Sequence, residues 1–295
     1  MSAVSSNPSG PPSSGEPRRE GRIARSWRLT RAAWDVVRDD RSLLTLAALS
    51  VVIGAIGLAL VFVLAGSFHN GHLKSDKLAI FALIFVYPLT FVSTFLNTAI
   101  AAAAAAALEG RHLSLREALA VPTRKIGTVA LWALIAAVVG YVLEQAASRL
   151  PLGGSIVARI VGVGWSLASL FAVPVIALED CSAPEALKRS AATVKQRWGE
   201  TIGGGLIIGA WAGIASLGVI VVFAIAIAAT QHTASLQDAL IAIGVLSLVA
   251  IIGLQTVVRQ TFSVALYRYA KDGAVPEHFS EHDLQSPFRR KRRSS

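Results

Sequence analysis

The chain has 295 residues, 54% of them apolar, and a formal net charge of +10. That apolar share is above the roughly 45–50% of a soluble domain and points to the bilayer. The apolar runs leave no soluble domain to carry a basic groove, so no nucleic-acid partner is expected. A single cysteine, Cys181, excludes an intramolecular disulfide and a cysteine-based metal cluster. Arginine outnumbers lysine and alanine is abundant, as in a GC-rich bacterial genome.

Residues 1–20 are Ser, Pro and Gly with a few charges, a composition that predicts disorder. They hold no apolar core of a signal peptide, so the first spanning helix must target the chain. From Gly21 to Arg41 the pattern predicts a helix. Ile23, Trp27, Thr30, Trp34 and Val37 recur on one face, and Arg22, Arg25, Arg28, Asp35 and Asp39 fall on the other. Such a helix suits the headgroup interface, and it also suits a place beneath its own bundle.

Six apolar runs of spanning length follow, at about 43–66, 78–108, 126–143, 156–178, 202–230 and 239–258. The first hairpin turn carries His69 and His72, too few imidazoles for a metal site, and reads as a solvated loop. In the second span Tyr87-Pro88 predicts a kink. After it comes the most polar stripe in any span, Thr90, Thr94 and Asn97 at i, i+4, i+7. Two readings stay open: the lining of a solute path, or interhelical hydrogen bonds around the kinked backbone. Seven alanines, Ala101 to Ala107, then offer a smooth packing surface.

Ser114-Leu-Arg-Glu117 is a capping-box pattern opening a short helix that ends at Pro122. The third span leaves Glu144 at its far end, and Arg159 lies about one turn into the fourth. That pair reads either as structural or as a ligand or proton site. Pro174 sits near the end of the fourth span. Ser182-Ala-Pro-Glu185 is a second capping box. It opens a basic amphipathic segment whose Leu187, Ala191, Val194 and Trp198 share a face. In the fifth span Gly205, Gly209 and Gly213 repeat every four residues. In lipid, small residues that let backbones approach are the adhesive between helices, so this ladder predicts a close helix contact. After the sixth span the helical pattern continues to Lys271. Residues 272–295 form a disordered tail ending in Arg289, Arg290, Lys291, Arg292 and Arg293.

The basic residues set the topology. Eight lie before the first span, four in each of the second and fourth loops, and eight from Arg259 onward. That makes 24 on one side, against Lys74, Lys77 and Arg149 on the other, with Arg159 inside a span. Both termini are therefore expected in the cytoplasm of a bacterial cell. The fold class expected is all-α: a polytopic membrane bundle of six helices in three hairpins, each entered through a short amphipathic cytoplasmic helix. Arg116-Glu-Ala-Leu119 echoes Pro184-Glu-Ala-Leu187, so the hairpins form a degenerate parallel threefold repeat. Inverted repeats, the better signature of alternating access, are not seen.

Ser26-Trp27, Trp34, Asp39-Asp40-Arg41, Ala183 to Ser190 and Lys195 to Gly199 carry a resemblance. The chain resembles uncharacterised bacterial six-helix membrane proteins, akin to the membrane domain beside some glycerophosphodiester phosphodiesterases. The resemblance covers roughly Gly21 to Lys271 and implies no agreed activity.

No enzyme motif is present, and acidic residues are nearly absent from the spans, so general acid–base chemistry lacks players. No cofactor is expected. The expected role is a non-catalytic membrane scaffold or accessory protein. Its partners are anionic lipid headgroups met by Arg22, Arg25, Arg28 and the polybasic tail, and a second membrane protein or a second copy of the chain. The alternative is a transporter or channel built on Thr90, Thr94, Asn97, Glu144 and Arg159.

Overall fold

The structure, a computed structural model, describes residues 22–68, 75–149, 152–198, 217–218, 220–223, 234–273 and 275. Among these residues every regular element is an α-helix. They are α1 (Arg22–Asp39), α2 (Arg41–Phe68), α3 (Ser75–Ala107), α4 (Leu115–Arg124), α5 (Ile126–Arg149), α6 (Leu152–Ala168), α7 (Ala172–Leu178), α8 (Ala183–Trp198) and α9 (Ala234–Asp272). Residues 217–218 and 220–223 are also helical.

Helix α3 is the centre. Ala99 through Ala106 are buried without exception, so this stretch of the helix has no outward side. A helix apolar all round belongs in the interior, and alanine keeps its cylinder thin. The surrounding core draws Leu43 and Leu46 from α2, Val129 and Trp132 from α5, Val175 and Ile176 from α7, and Val257 and Leu266 from α9.

Close approaches tie α2 to its neighbours. A Cβ placed on Gly253 of α9 would lie 2.6 Å from Val51 Cγ2, and one on Gly54 would lie 3.2 Å from Val249 Cγ1. These two pairs make α2 and α9 antiparallel. Gly57 meets Leu89 of α3. Trp132 of α5 stacks on Trp165 of α6, with centroids 5.9 Å apart and planes 17° apart. Gly244 of α9 faces the Phe223 ring, 2.8 Å from where its Cβ would be. The Gly205, Gly209 and Gly213 ladder lies outside the described residues. Among the described residues, glycine contacts join α2 to α3 and α9, α6 to α5 through Gly162 and Leu143, and α9 to Phe223.

Five described helical stretches are long and apolar enough to cross a membrane: Arg41–Ala59, Tyr87–Ala107, Ile126–Ser148, Ile160–Leu178 and Ala239–Asp272. Most of the expected span at 202–230 lies outside the described residues. The large apolar side chains on the outer faces of α5 and α9 are exposed, among them Leu131, Val138, Ile243 and Leu246.

Several local expectations change. The buried stripe of α1 runs through Ala33, Val36 and Val37 while Trp34 is half-buried, so this half of α1 packs on its own bundle. Pro88 lies inside α3 without breaking it, as a kinked rather than a broken helix requires. Helix α4 runs past Pro122 to Arg124; the proline is buried, and the helix stops only at Lys125. The Ser114–Glu117 capping box forms as read, with the Ser114 N–H donating to Glu117 Oε2 at 2.8 Å. On α8, Glu185 pairs with Arg189 one turn on. Helix α5 extends six residues beyond the expected end at Leu143, to Arg149.

The largest change is in the fourth span. It is two helices, α6 and α7, separated by Ser169–Phe171. Pro174 has no N–H to give to the carbonyl four residues back, which is Leu170. The Ser263 hydroxyl of α9 donates to that carbonyl instead, at 2.9 Å. The Phe171 N–H donates to Ser190 Oγ of α8, also at 2.9 Å. Inside a membrane protein a break is tolerated where such groups re-satisfy the backbone.

Candidate functional site

The polar side chains of the bundle gather at one end, where α2 starts and α3 and α9 finish. Glu179, just after α7, is the hub. Its carboxylate accepts hydrogen bonds from the Tyr267 hydroxyl and from Lys271 Nζ, and it pairs with the Arg189 guanidinium. Lys125, between α4 and α5, donates to the backbone carbonyls of Glu179 at 2.6 Å and Ile176 at 3.0 Å. That ammonium caps the C-terminus of α7, where the helix dipole favours a cation. One acidic residue thus joins the end of α7 to α8, α9 and the link between α4 and α5. The Tyr267 ring also packs on Phe171, 5.8 Å between centroids, beside the helix break.

A second node sits at the start of α2. Asp40 is buried and caps the helix: its Oδ1 accepts from the Ser42 N–H at 2.8 Å and the Ser42 hydroxyl at 2.6 Å. Its Oδ2 lies 2.8 Å from His112 Nδ1, in the loop after α3. Glu109 of that loop pairs with Arg111 and with Arg268 of α9.

The electrostatics follow from these contacts. Burial pushes the Glu179 carboxyl up, but the hydrogen bonds from Lys271, Tyr267 and Arg189 outweigh it and bring it down to about 2. At Asp40 burial again opposes ionisation, and bonds from Ser42, His112 and Leu43 hold it below the usual carboxylate range. The Cys181 thiol is pushed up by burial, away from the thiolate character a nucleophile needs.

The residues singled out in the sequence are placed as follows. Thr94 is buried, and Thr90 and Asn97 are half-buried on α3. Asn97 Nδ2 lies 3.5 Å from Ser93 Oγ, one turn back on its own helix. The next hydroxyl, Thr98, donates to the Thr94 carbonyl at 2.8 Å. Glu144 is exposed toward the end of α5. Arg159 belongs to α6, with its side chain outside the described residues, as are those of Arg22, Arg25 and Arg28 on α1. Arg289, Arg290, Lys291, Arg292 and Arg293 lie outside the described residues altogether. Glu179, Asp40, Ser190 and Ser263 were not anticipated. Asp40 was findable, since an aspartate just before an apolar run is a helix-start signal. Glu179 was not, because its partners lie 10, 88 and 92 positions away.

Five apolar helices of spanning length, with their polar groups drawn to one end, are the architecture of a helical membrane protein. Residues 75–276 match a family of unknown function (DUF6159), and the chain belongs to that family. No curated protein and no solved structure matches the chain. The match begins at Ser75, so the likeness carried by Ser26-Trp27, Trp34 and Asp39-Asp40-Arg41 lies outside it. Nothing in it links the chain to the membrane domain beside glycerophosphodiester phosphodiesterases.

Proposed function

We propose that the chain is a six-span protein of the bacterial cell membrane, with both termini cytoplasmic. In this reading it acts as a non-catalytic scaffold whose basic end holds anionic lipid headgroups. One observation carries the reading: the best-connected acids at the polar end are committed to donors of the same chain, while Arg116 and Arg124 there are not. Asp40, Glu109, Glu179 and Glu185 are all engaged. Arg116 and Arg124 are exposed and have no ion pair with a described residue. Basic residues outnumber acidic ones at this end, so it presents net positive charge to its surroundings, and such charge is attracted to an anionic leaflet. The contact of Gly244 with Phe223 supports a third hairpin, formed by the 202–230 segment and α9.

Labelling of single cysteines, Ser5→Cys and Ser294→Cys in a Cys181→Ser background, tests the topology. Both should react only from the cytoplasmic side; reaction of one alone from outside refutes the six spans, and reaction of both from outside refutes the orientation. Replacing Arg22, Arg25, Arg28 and the five tail cations by glutamine should weaken binding of the protein's cytoplasmic end to phosphatidylglycerol vesicles. Unchanged binding refutes the scaffold role.

Transport of a small solute is the second reading, and the break between α6 and α7 is what favours it. An Asn97→Cys thiol that reacts with a water-soluble maleimide in the folded protein would support a hydrated path. A thiol reactive only after unfolding would exclude it.

A further inference from the structure

We propose that the outer face of α4 is a binding site for the headgroup of a single anionic glycerophospholipid. The proposal rests on the membrane placement given above but not on the polybasic tail. An open groove runs along this face, floored by Leu115, Leu119 and Ala120 and edged by Arg116, Thr123 and Arg124. The two arginines stand eight positions apart, about 12 Å along the helix axis, one toward each end of the apolar floor.

Both guanidiniums are available. Glu117, next to Arg116 in the chain, is held by the Ser114 N–H and hydroxyl at 2.8 Å each. The Thr123 hydroxyl donates to the Leu119 carbonyl at 2.7 Å, so the arginines are the groove's donors. The opposite face of α4 is fixed, because Ala118 and Pro122 are buried. The helix therefore has no freedom to roll and hide its charges.

Position selects the occupant. Helix α4 lies between two spanning stretches, Tyr87–Ala107 and Ile126–Ser148, which puts it at headgroup depth. Two residues past Arg124, Ile126 is 52% exposed and opens the outward face of α5. A phosphodiester between the arginines would lie over an apolar floor that continues toward the acyl region. Arginine suits the task, since its planar fork binds phosphate oxygens in pairs. A free anion would use the cations but gain nothing from the apolar floor. An acidic peptide would have to compete with lipid at that depth.

The test uses the purified full chain in neutral detergent, titrated with phosphatidylglycerol, phosphatidylcholine or inorganic phosphate. Native mass spectrometry reads bound lipid, and the thermal midpoint reads protection. A discrete one-to-one phosphatidylglycerol adduct is expected, with no such adduct for phosphatidylcholine. Arg116→Gln/Arg124→Gln should weaken it roughly tenfold or more, with the midpoint in phosphatidylcholine unchanged. The equal-charge control Arg31→Gln/Arg38→Gln should retain it. Equal weakening in both double variants, an adduct indifferent to Arg116 and Arg124, or equal protection by inorganic phosphate each overturns the site. A variant with the five tail cations neutralised keeps the adduct if the site is right, even where vesicle binding is unchanged and the scaffold reading fails.

Discussion

Replacing Glu179 by glutamine tests whether the polar end holds the bundle together. The substitution keeps the shape and one acceptor for the Tyr267 hydroxyl, and it removes the charge that meets Arg189 and Lys271. A carboxyl brought from 4.5 to about 2 in the folded chain corresponds to an upper limit of roughly 3 kcal/mol. The limit overstates the effect. The glutamate side chain is only 13% exposed, but Arg189 is 43% and Lys271 51% exposed. Water screens these pairs and hydrates the freed cations, leaving about 1–2 kcal/mol. For a bundle of this size that is a fall of roughly 2–8 °C in the thermal midpoint, readable through the stacked Trp132 and Trp165.

The sign of the pH dependence is fixed by the direction of the shift. A carboxyl whose folded value is depressed stabilises fully above its unfolded value and loses that contribution as it protonates. The gap between parent and Glu179→Gln should therefore be full at pH 7 and close as pH falls from 4.5 toward about 2. A variant as stable as the parent at pH 7, or a gap that persists unchanged at pH 2, would refute the hub.

The helix break gives a second prediction. Ser190→Ala removes the hydroxyl that accepts the Phe171 N–H. It should cost about 1–3 kcal/mol, seen as a lower midpoint and faster amide exchange at Phe171. Gly253→Ala brings a methyl to 2.6 Å from Val51 Cγ2 and 3.3 Å from the Val51 backbone nitrogen, so it should lower the midpoint by an amount equivalent to about 1–3 kcal/mol. The matched control Gly140→Ala meets no atom within 4 Å and should be neutral or gain up to about 1 kcal/mol from helix propensity. Ala103→Leu places three extra carbons in the crowded core around α3. It should destabilise by about 1–3 kcal/mol or more, with loss of a monodisperse peak in size-exclusion chromatography.

Hydropathy, charge bias and capping chemistry are properties of neighbouring residues, and these the chain declares on its own. The apolar runs located five helices of spanning length, and Ser114-Leu-Arg-Glu117 announced the cap that opens α4. Tertiary contact decided the rest, because it joins residues far apart in the chain. Pro174 marks a place where a helix can break; whether it does depends on Ser263 and Ser190 arriving to take up Leu170 and Phe171. An alanine run permits close packing, and only the assembled helices enclose Ala99 to Ala106 of α3 on every side. Glu179 looks like one more acid at a helix end until α8 and α9 bring Arg189, Tyr267 and Lys271 to it. The reason is physical: a carboxylate's partners are set by distance in space, and local sequence records only distance along the chain.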